Sequence, residues 1–379
     1  MQPTGTFGGV VETIVLASGT SHPLLAGSNG GGVFISTDNG MHWTATANIG
    51  LGNPHVHALL SQAGATLAGT DAGIFLSTNN GAIWLPASTG QINKDTVNAL
   101  FLKSDTVFAG TSHGVYRATQ ATLSWTLIDM GFTQDYYIHT FSVSDTNLLA
   151  GTFQFGVWRS NDDGSHWDQS NSGLTKSDMH SFAQLDTNLF VGTDGGLLFL
   201  SNDNGHTWNS VPVSFSASII TSLVFAGSDL YAGSDAGVYV SHDRGLNWHE
   251  MNTGLSNHDV RFMYTSGSTL LAVLGDGTVW RFVIPDNVPQ AGKNIISLEN
   301  YPNPFSQQTT IRFSSSAYGL AKVSIVNILG EEIIQIFNGS LESGDHSFNW
   351  DAKAIAPGMY WCIVNMGGEI FRLPLVIIR

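Results

Sequence analysis

The chain has 379 residues, long enough for one large all-β domain and a small one. Only 11% of them are charged, 43 are glycine and the net charge is −15, which suits a turn-rich β protein better than a helical one. The 14 Lys and Arg are scattered, which argues against nucleic acid and a polybasic membrane patch, and Cys362, the single cysteine, allows no intrachain disulfide and no cysteine zinc site.

In chain order, residues 1 to 20 come first. They lack a positively charged start before their apolar run, so no secretory signal peptide is legible. No later run approaches the length of a membrane span. The chain then repeats. "VFIS" at 33, "IFLS" at 74, "VYRA" at 115, "VWRS" at 157, "LFLS" at 198, "VYVS" at 238 and "VWRF" at 279 are 40 to 42 residues apart. Each unit holds an apolar run such as "VHALLSQ", a second such as "TLAGT", the quoted third, and a short fourth closed by "NTGL" or "NSGL". Four short strands per repeat predict an all-β, seven-bladed β-propeller. One such sheet cannot bury both faces, whereas seven around an axis can.

Between the third and fourth runs stands Ser-x-Asp-x-Gly-x-x-Trp. It occurs as Ser36, Asp38, Gly40, Trp43; as Ser160, Asp162, Gly164, Trp167; as Ser201, Asp203, Gly205, Trp208; and as Ser241, Asp243, Gly245, Trp248. The second copy, Ser77, Asn79, Gly81, Trp84, carries Asn for Asp, the third keeps only Trp125, and the seventh has lost the motif. The acid is expected to close the turn in Asx fashion, the glycine to give backbone freedom, and the indole to cover the turn. These phrases resemble the Asp-box, or BNR, repeat of sialidases, some glycoside hydrolases, sortilin-type receptors and photosystem assembly factors. Loss from two units fits a structural staple rather than a catalytic set.

The seventh unit has no fourth run of its own. "TGTFGGVV" at 4 to 11 aligns with "TGLSNHDV" at 253 to 260, so Gly5 falls at the end of a closing strand. That register puts the strand's start, with its Trp, upstream of residue 1. A truncated chain, with its signal peptide lost, is the expectation.

The propeller is expected over 1–283, a linker over 284–294 and a second domain over 295–379. The tail's alternating runs and turns read as a small immunoglobulin-like β-sandwich. Tyr301-Pro302-Asn303-Pro304-Phe305, Leu329-Gly330, Gly344-x-His346, Trp350-Asp351 and Gly358-x-Tyr360 resemble the C-terminal sorting domain of the type IX secretion system. Arg372 and Arg379 stand where that family often has lysine. The resemblance implies passage through the periplasm, the secretion machinery as partner, and a secreted or surface location in a Bacteroidota-type bacterium. Cys362 reads as a small core residue.

At the second position of each first run stand Glu12, His57, Asn98, His139, His180, Thr221 and Arg261. Apolar neighbours flank these polar side chains, so they are expected at the mouth of the central channel, opposite the Asp boxes. Asp71, His113, Asp194 and Asp235 join them on the same rim, with Tyr136, Tyr137, Phe153 and Phe155. Two readings stand side by side: polar residues that merely meet channel water, and a ligand site for sugars or a protein. No metal and no cofactor is expected.

Sialidases need three convergent arginines. Of Arg117, Arg159, Arg244, Arg261 and Arg281, only Arg261 occupies a central register. The favoured reading is a noncatalytic glycan- or protein-binding module. The alternative is a glycoside hydrolase, or an inactive relative of one, acting on polysaccharide, with Glu12 and Asp71, Asp194 or Asp235 as carboxylates. An assembly factor fits the repeats but not the export tail.

Overall fold

The computed structural model describes residues 2–3, 7–18, 22–128, 137–284, 295–315, 319–327, 332–366 and 369–378. Gly5, Tyr136, Leu329, Gly330, Arg379 and most of the expected linker lie outside them. Two compact units emerge, Met1–Ile284 and Pro285–Arg379.

Among the described residues the first unit holds seven antiparallel sheets of four strands. The first is Val11–Leu16, Leu24–Ser28, Gly32–Ser36 and Thr44–Ala45, hydrogen-bonded in that order. The innermost strands of the other six are Val56–Gln62, Val97–Lys103, Ile138–Ser144, Met179–Leu185, Ile220–Ala226 and Val260–Ser266. Each innermost strand neighbours the next, and the last returns to the first, so the sheets form a closed ring. In the seventh sheet the outermost strand is Gln2–Pro3, with Gln2 opposite Arg281 and Pro3 opposite Trp280. Gln2 and Pro3 fall within the span expected for the closing strand, whose expected end at Gly5 lies outside the described residues.

The glycine of the second runs now has a physical reason. A Cβ on Gly27 would come 2.5 Å from Val56, and one on Gly192 would come 2.6 Å from Ile220, each in the following sheet. Only glycine lets neighbouring sheets approach that closely. Second strands such as Leu24–Ser28 and Thr269–Leu274 are buried throughout, sandwiched between adjacent sheets. The apolar clusters straddle sheet boundaries accordingly. Val11, Ile14 and Phe34 pack with Leu271, Val273 and Val279 of the seventh sheet, while Trp84 joins Leu25 and Val33 of the sheet before its own.

The Ser-x-Asp-x-Gly-x-x-Trp turns lie at the end of the ring opposite the start of the innermost strands. As expected, the acid accepts a backbone N–H inside the turn, from the residue four positions on. Asp38, Asn79, Asp162, Asp203 and Asp243 accept the N–H four residues on, from His42, Ile83, His166, Thr207 and Asn247, at 2.8 to 2.9 Å. Two successive left-handed residues, such as Asn39 (φ 58°) and Gly40 (φ 82°), curl the chain until that later N–H faces the carboxylate. The serine has a part that the sequence did not reveal. Its Oγ donates to the acid and accepts the glycine N–H, as Ser36 does at 2.8 and 2.9 Å. Trp84, Trp167 and Trp248 donate Nε1–H to the carbonyls of Gly81, Gly164 and Gly245, sealing their own turns. Trp208 and Trp125 instead reach the preceding sheet, at Ser170 and Ala87. Trp43 packs on Phe7 at 5.7 Å between centroids.

The second unit holds seven strands in two sheets among the described residues. One joins Ile295–Tyr301, Gln308–Ser315 and Gly344–Asp351; the other joins Glu332–Leu341, Gly319–Val326, Gly358–Met366 and Glu369–Ile377. Phe305, Ile311, Phe313, Val323, Trp350 and Cys362 fill its core. The Tyr301–Pro302 and Asn303–Pro304 bonds are cis. Burial pushes the Cys362 thiol up to about 12, which makes it inert as a nucleophile.

Candidate functional site

Every innermost strand carries an irregularity at one register: between Val11 and Thr13, Val56 and Ala58, Val97 and Ala99, Ile138 and Thr140, Met179 and Ser181, Ile220 and Ser222, Val260 and Phe262. The residue inside each is Glu12, His57, Asn98, His139, His180, Thr221 or Arg261. A bulge leaves one residue out of the ladder and re-aims its side chain. Seven polar residues are therefore presented together at one end of the ring. Beside six of them a buried Ser or Thr on the second strand pins the rim turn, as Thr70 does by donating to the Gly73 carbonyl at 2.9 Å.

The structure does not gather the three histidines at one point. His57 is held between two carboxylates, its Nδ1 against Glu12 and its Nε2 against Asp71 at 2.7 Å. Asn29 donates to Glu12 at 2.8 Å and faces His55 on its other side, a link that sequence reasoning missed. Burial pulls His57 down, but the bonds and charges of Glu12 and Asp71 outweigh it, so its pKa lies above the ordinary value.

His139 and His180 do meet, with ring centroids 5.6 Å apart. Phe153 lies 5.9 Å from His139, and Tyr137 lies 6.5 Å from Phe153 at a near-perpendicular angle. Burial, aided by His180 and opposed by Asp178, pulls His139 down to about 4. Burial lowers His180 as well, against Asp178 and Asp194. His180 Nε2, Asp194 Oδ1 and Asn98 Nδ2 are buried without a hydrogen-bond partner among the described residues.

The remaining rim residues are engaged locally. Arg261 pairs with Asp259 at 2.6 Å and Thr221 donates to the Val260 carbonyl at 2.6 Å. Asp235 accepts the Ser218 N–H at 2.8 Å. His113 lies 2.9 Å from Asp95, a fully buried carboxylate that also accepts the Tyr116 hydroxyl at 2.8 Å. Neither Asp95 nor Asp178 was singled out from sequence, since both fall just before the repeated register. Among the described residues, no group of three or more His, Cys, Asp or Glu is arranged to hold a metal ion.

The comparisons agree with this architecture. Residues 299–377 match the secretion system C-terminal sorting domain, and residues 132–256 match the DUF6242 beta propeller domain. The chain is a β-propeller with a type IX sorting tail. Such a tail indicates secretion to the cell surface and implies contact with the secretion machinery. Among curated proteins none matches the sequence.

Three solved structures are similar in fold. PorZ of Porphyromonas gingivalis, described as an essential bacterial surface component of the type-IX secretion system, aligns over 99% of this chain with a TM-score of 0.61 and 13% identity. YCF48 from Cyanidioschyzon merolae covers 76% of this chain and 99% of its own, with a TM-score of 0.62 and 15% identity. The GH74 xyloglucanase from Xanthomonas campestris covers 83% of this chain, with a TM-score of 0.60 and 14% identity. The chain spans 60% of the PorZ structure and 59% of the xyloglucanase structure. Among the described residues, no helix is long and apolar enough to cross a membrane.

Proposed function

We propose that the chain is a seven-bladed Asp-box propeller joined by a linker over 284–294 to an immunoglobulin-like sorting sandwich, and that it acts at the cell surface as a noncatalytic binding module. Its ligand, a glycan or a protein, meets the bulged rim. The observation that carries this reading is the state of the first rim carboxylates. Glu12 and Asp71 occupy opposite nitrogens of one imidazole, so His57 fills the space between them. A glycosidase needs two carboxylates about 5–10 Å apart facing open space for a sugar and, in inverting enzymes, a water. Here that space belongs to a side chain.

The test offers the full chain a panel of polysaccharides and bacterial surface proteins, scoring binding and release of reducing ends separately. Binding without hydrolysis, weakened by substitution of His139 or Phe153, supports the module. Reducing ends released by the wild type and lost in Glu12→Gln would establish the hydrolase instead.

A further inference from the structure

The rim is not uniform around the ring. Tyr137, Phe153, His139 and His180 run in a row across the fourth and fifth sheets, with neighbouring centroids 6.5, 5.9 and 5.6 Å apart. Its outer end is open: Tyr137 is 48% exposed and Phe153 37%. Phe153 opens a short turn whose next residue, Gln154, has a φ of 69°. The turn is held from both sides. Phe153 N–H donates to the Tyr137 carbonyl at 3.0 Å, and Gln154 N–H donates to Asp178 of the fifth sheet at 2.6 Å. The rings are therefore presented in a set arrangement, which lowers the ordering cost of binding.

Charge is segregated as well. Residues 1–284 hold 21 of the 29 carboxylates but only 8 of the 14 Lys and Arg. Five of those cations, Lys103, Arg117, Arg159, Arg244 and Arg281, bond at the Asp-box end. The rim end carries Glu12, Asp71, Asp95, Asp178, Asp194, Asp235, Asp259 and Asp276 against Lys94, Lys176 and Arg261, with His57 between Glu12 and Asp71. Lys176 and Arg261 already face Asp194 and Asp259. Burial keeps both imidazoles of the row uncharged near neutral pH, so they add no opposing charge.

We propose that this strip docks a basic protein segment, with an Arg or Lys of the partner on the faces of Phe153 and Tyr137 and its charge met by Asp178, whose carboxylate holds the Phe153–Gln154 turn. The inference rests on the binding-module reading and names its partner. A neutral glycan would stack on the same rings without using the charge, so charge is the discriminating variable.

The full chain is titrated at physiological ionic strength with octa-arginine, with its neutral octa-citrulline counterpart, and with a panel of neutral oligosaccharides. Three variants accompany it. Asp178→Asn keeps an acceptor for Gln154 but removes the charge, Phe153→Ala removes the stacking face, and Asp145→Asn removes a carboxylate at the opposite end. Octa-arginine is expected to bind at least tenfold more tightly than octa-citrulline. Asp178→Asn and Phe153→Ala should each weaken it several-fold, and Asp145→Asn should leave it unchanged. Equal weakening by Asp145→Asn would reduce the effect to bulk attraction and overturn the proposal. Oligosaccharide binding that is lost in Phe153→Ala, with no response to octa-arginine, would overturn the basic partner while sustaining the binding module. No binding by any probe would overturn the basic partner as well.

Discussion

Arg117 Nη1 donates to the main-chain carbonyl of Asp163 at 3.2 Å, reaching from the third sheet into the Ser-x-Asp-x-Gly-x-x-Trp box of the fourth. The third sheet has no complete box, and neither has the seventh. There Arg281, in the same strand slot, donates to the carbonyl of Asn39 in the first sheet's box at 3.1 Å. Lys103 adds a 2.6 Å bond to the Asp163 carboxylate. Where a sheet lacks its own clip, a cation grips the clip of the next.

Arg117→Ala and Arg281→Ala should each cost about 0.5–1 kcal/mol, the scale of an exposed charge-assisted bond. Chemical denaturation of the full chain checks this. An unmoved urea midpoint for both variants would remove the compensation argument.

Substitutions inside a complete box should cost more. Ser160→Ala leaves the buried Gly164 N–H without its 2.8 Å acceptor, a loss of about 1–3 kcal/mol. Gly205→Ala should be as severe, because φ is 80° and the new Cβ would lie 2.4 Å from Leu149. Asn79→Asp should do the opposite. It restores the charged acceptor for the Ile83 N–H and should raise stability by a few tenths of a kcal/mol.

Trp84→Ala removes one of the largest fully buried side chains and its bond to Gly81. The expected loss is about 3–5 kcal/mol. Trp43→Ala should cost less, since Trp43 is only partly buried and its Nε1 has no partner among the described residues. A thermal melt that ranks them the other way would contradict the packing argument.

Acid should weaken the rim of the fourth and fifth sheets before it opens the boxes. His139 is neutral in the folded chain down to about 4, whereas the unfolded chain takes up its proton near the ordinary value. Its contribution is therefore complete above that ordinary value and is lost as pH falls toward 4. At Asp38 and Asp203, burial pushes upward, but the bonds from the turn outweigh it and hold both carboxyls at about 2. Their stabilisation persists above the usual carboxylate range and disappears as pH falls toward 2. Hydrogen exchange followed against pH should show rim amides of these sheets opening first; boxes opening first would reverse the assignment.

The His57 bridge should respond with the opposite sign. Its folded pKa is raised, so its stabilisation is complete below the ordinary histidine value and is lost as pH rises through the folded pKa. Imidazole NMR titration reads this directly. Glu12→Gln should move the His57 midpoint downward by removing one of its two carboxylates.

The repeats, the four strands in each, the turn motif and the equivalence of Glu12, His57 and their counterparts were legible from residue order. Each is a local pattern written several times over, and a period of about 41 residues survives the loss of any single copy. Pairing across sheets was not legible. Whether His57 joins His139 or is captured by Glu12 and Asp71, and whether Asp178 pins the turn of Phe153, depends on side chains from different sheets meeting. The bulge at Glu12 and its counterparts and the role of Ser36 within its turn belong to the same class. Sequence periodicity says which residues are equivalent. Which equivalents touch is decided by the close packing of neighbouring sheets, as where Gly27 leaves no room for a Cβ against Val56 of the next.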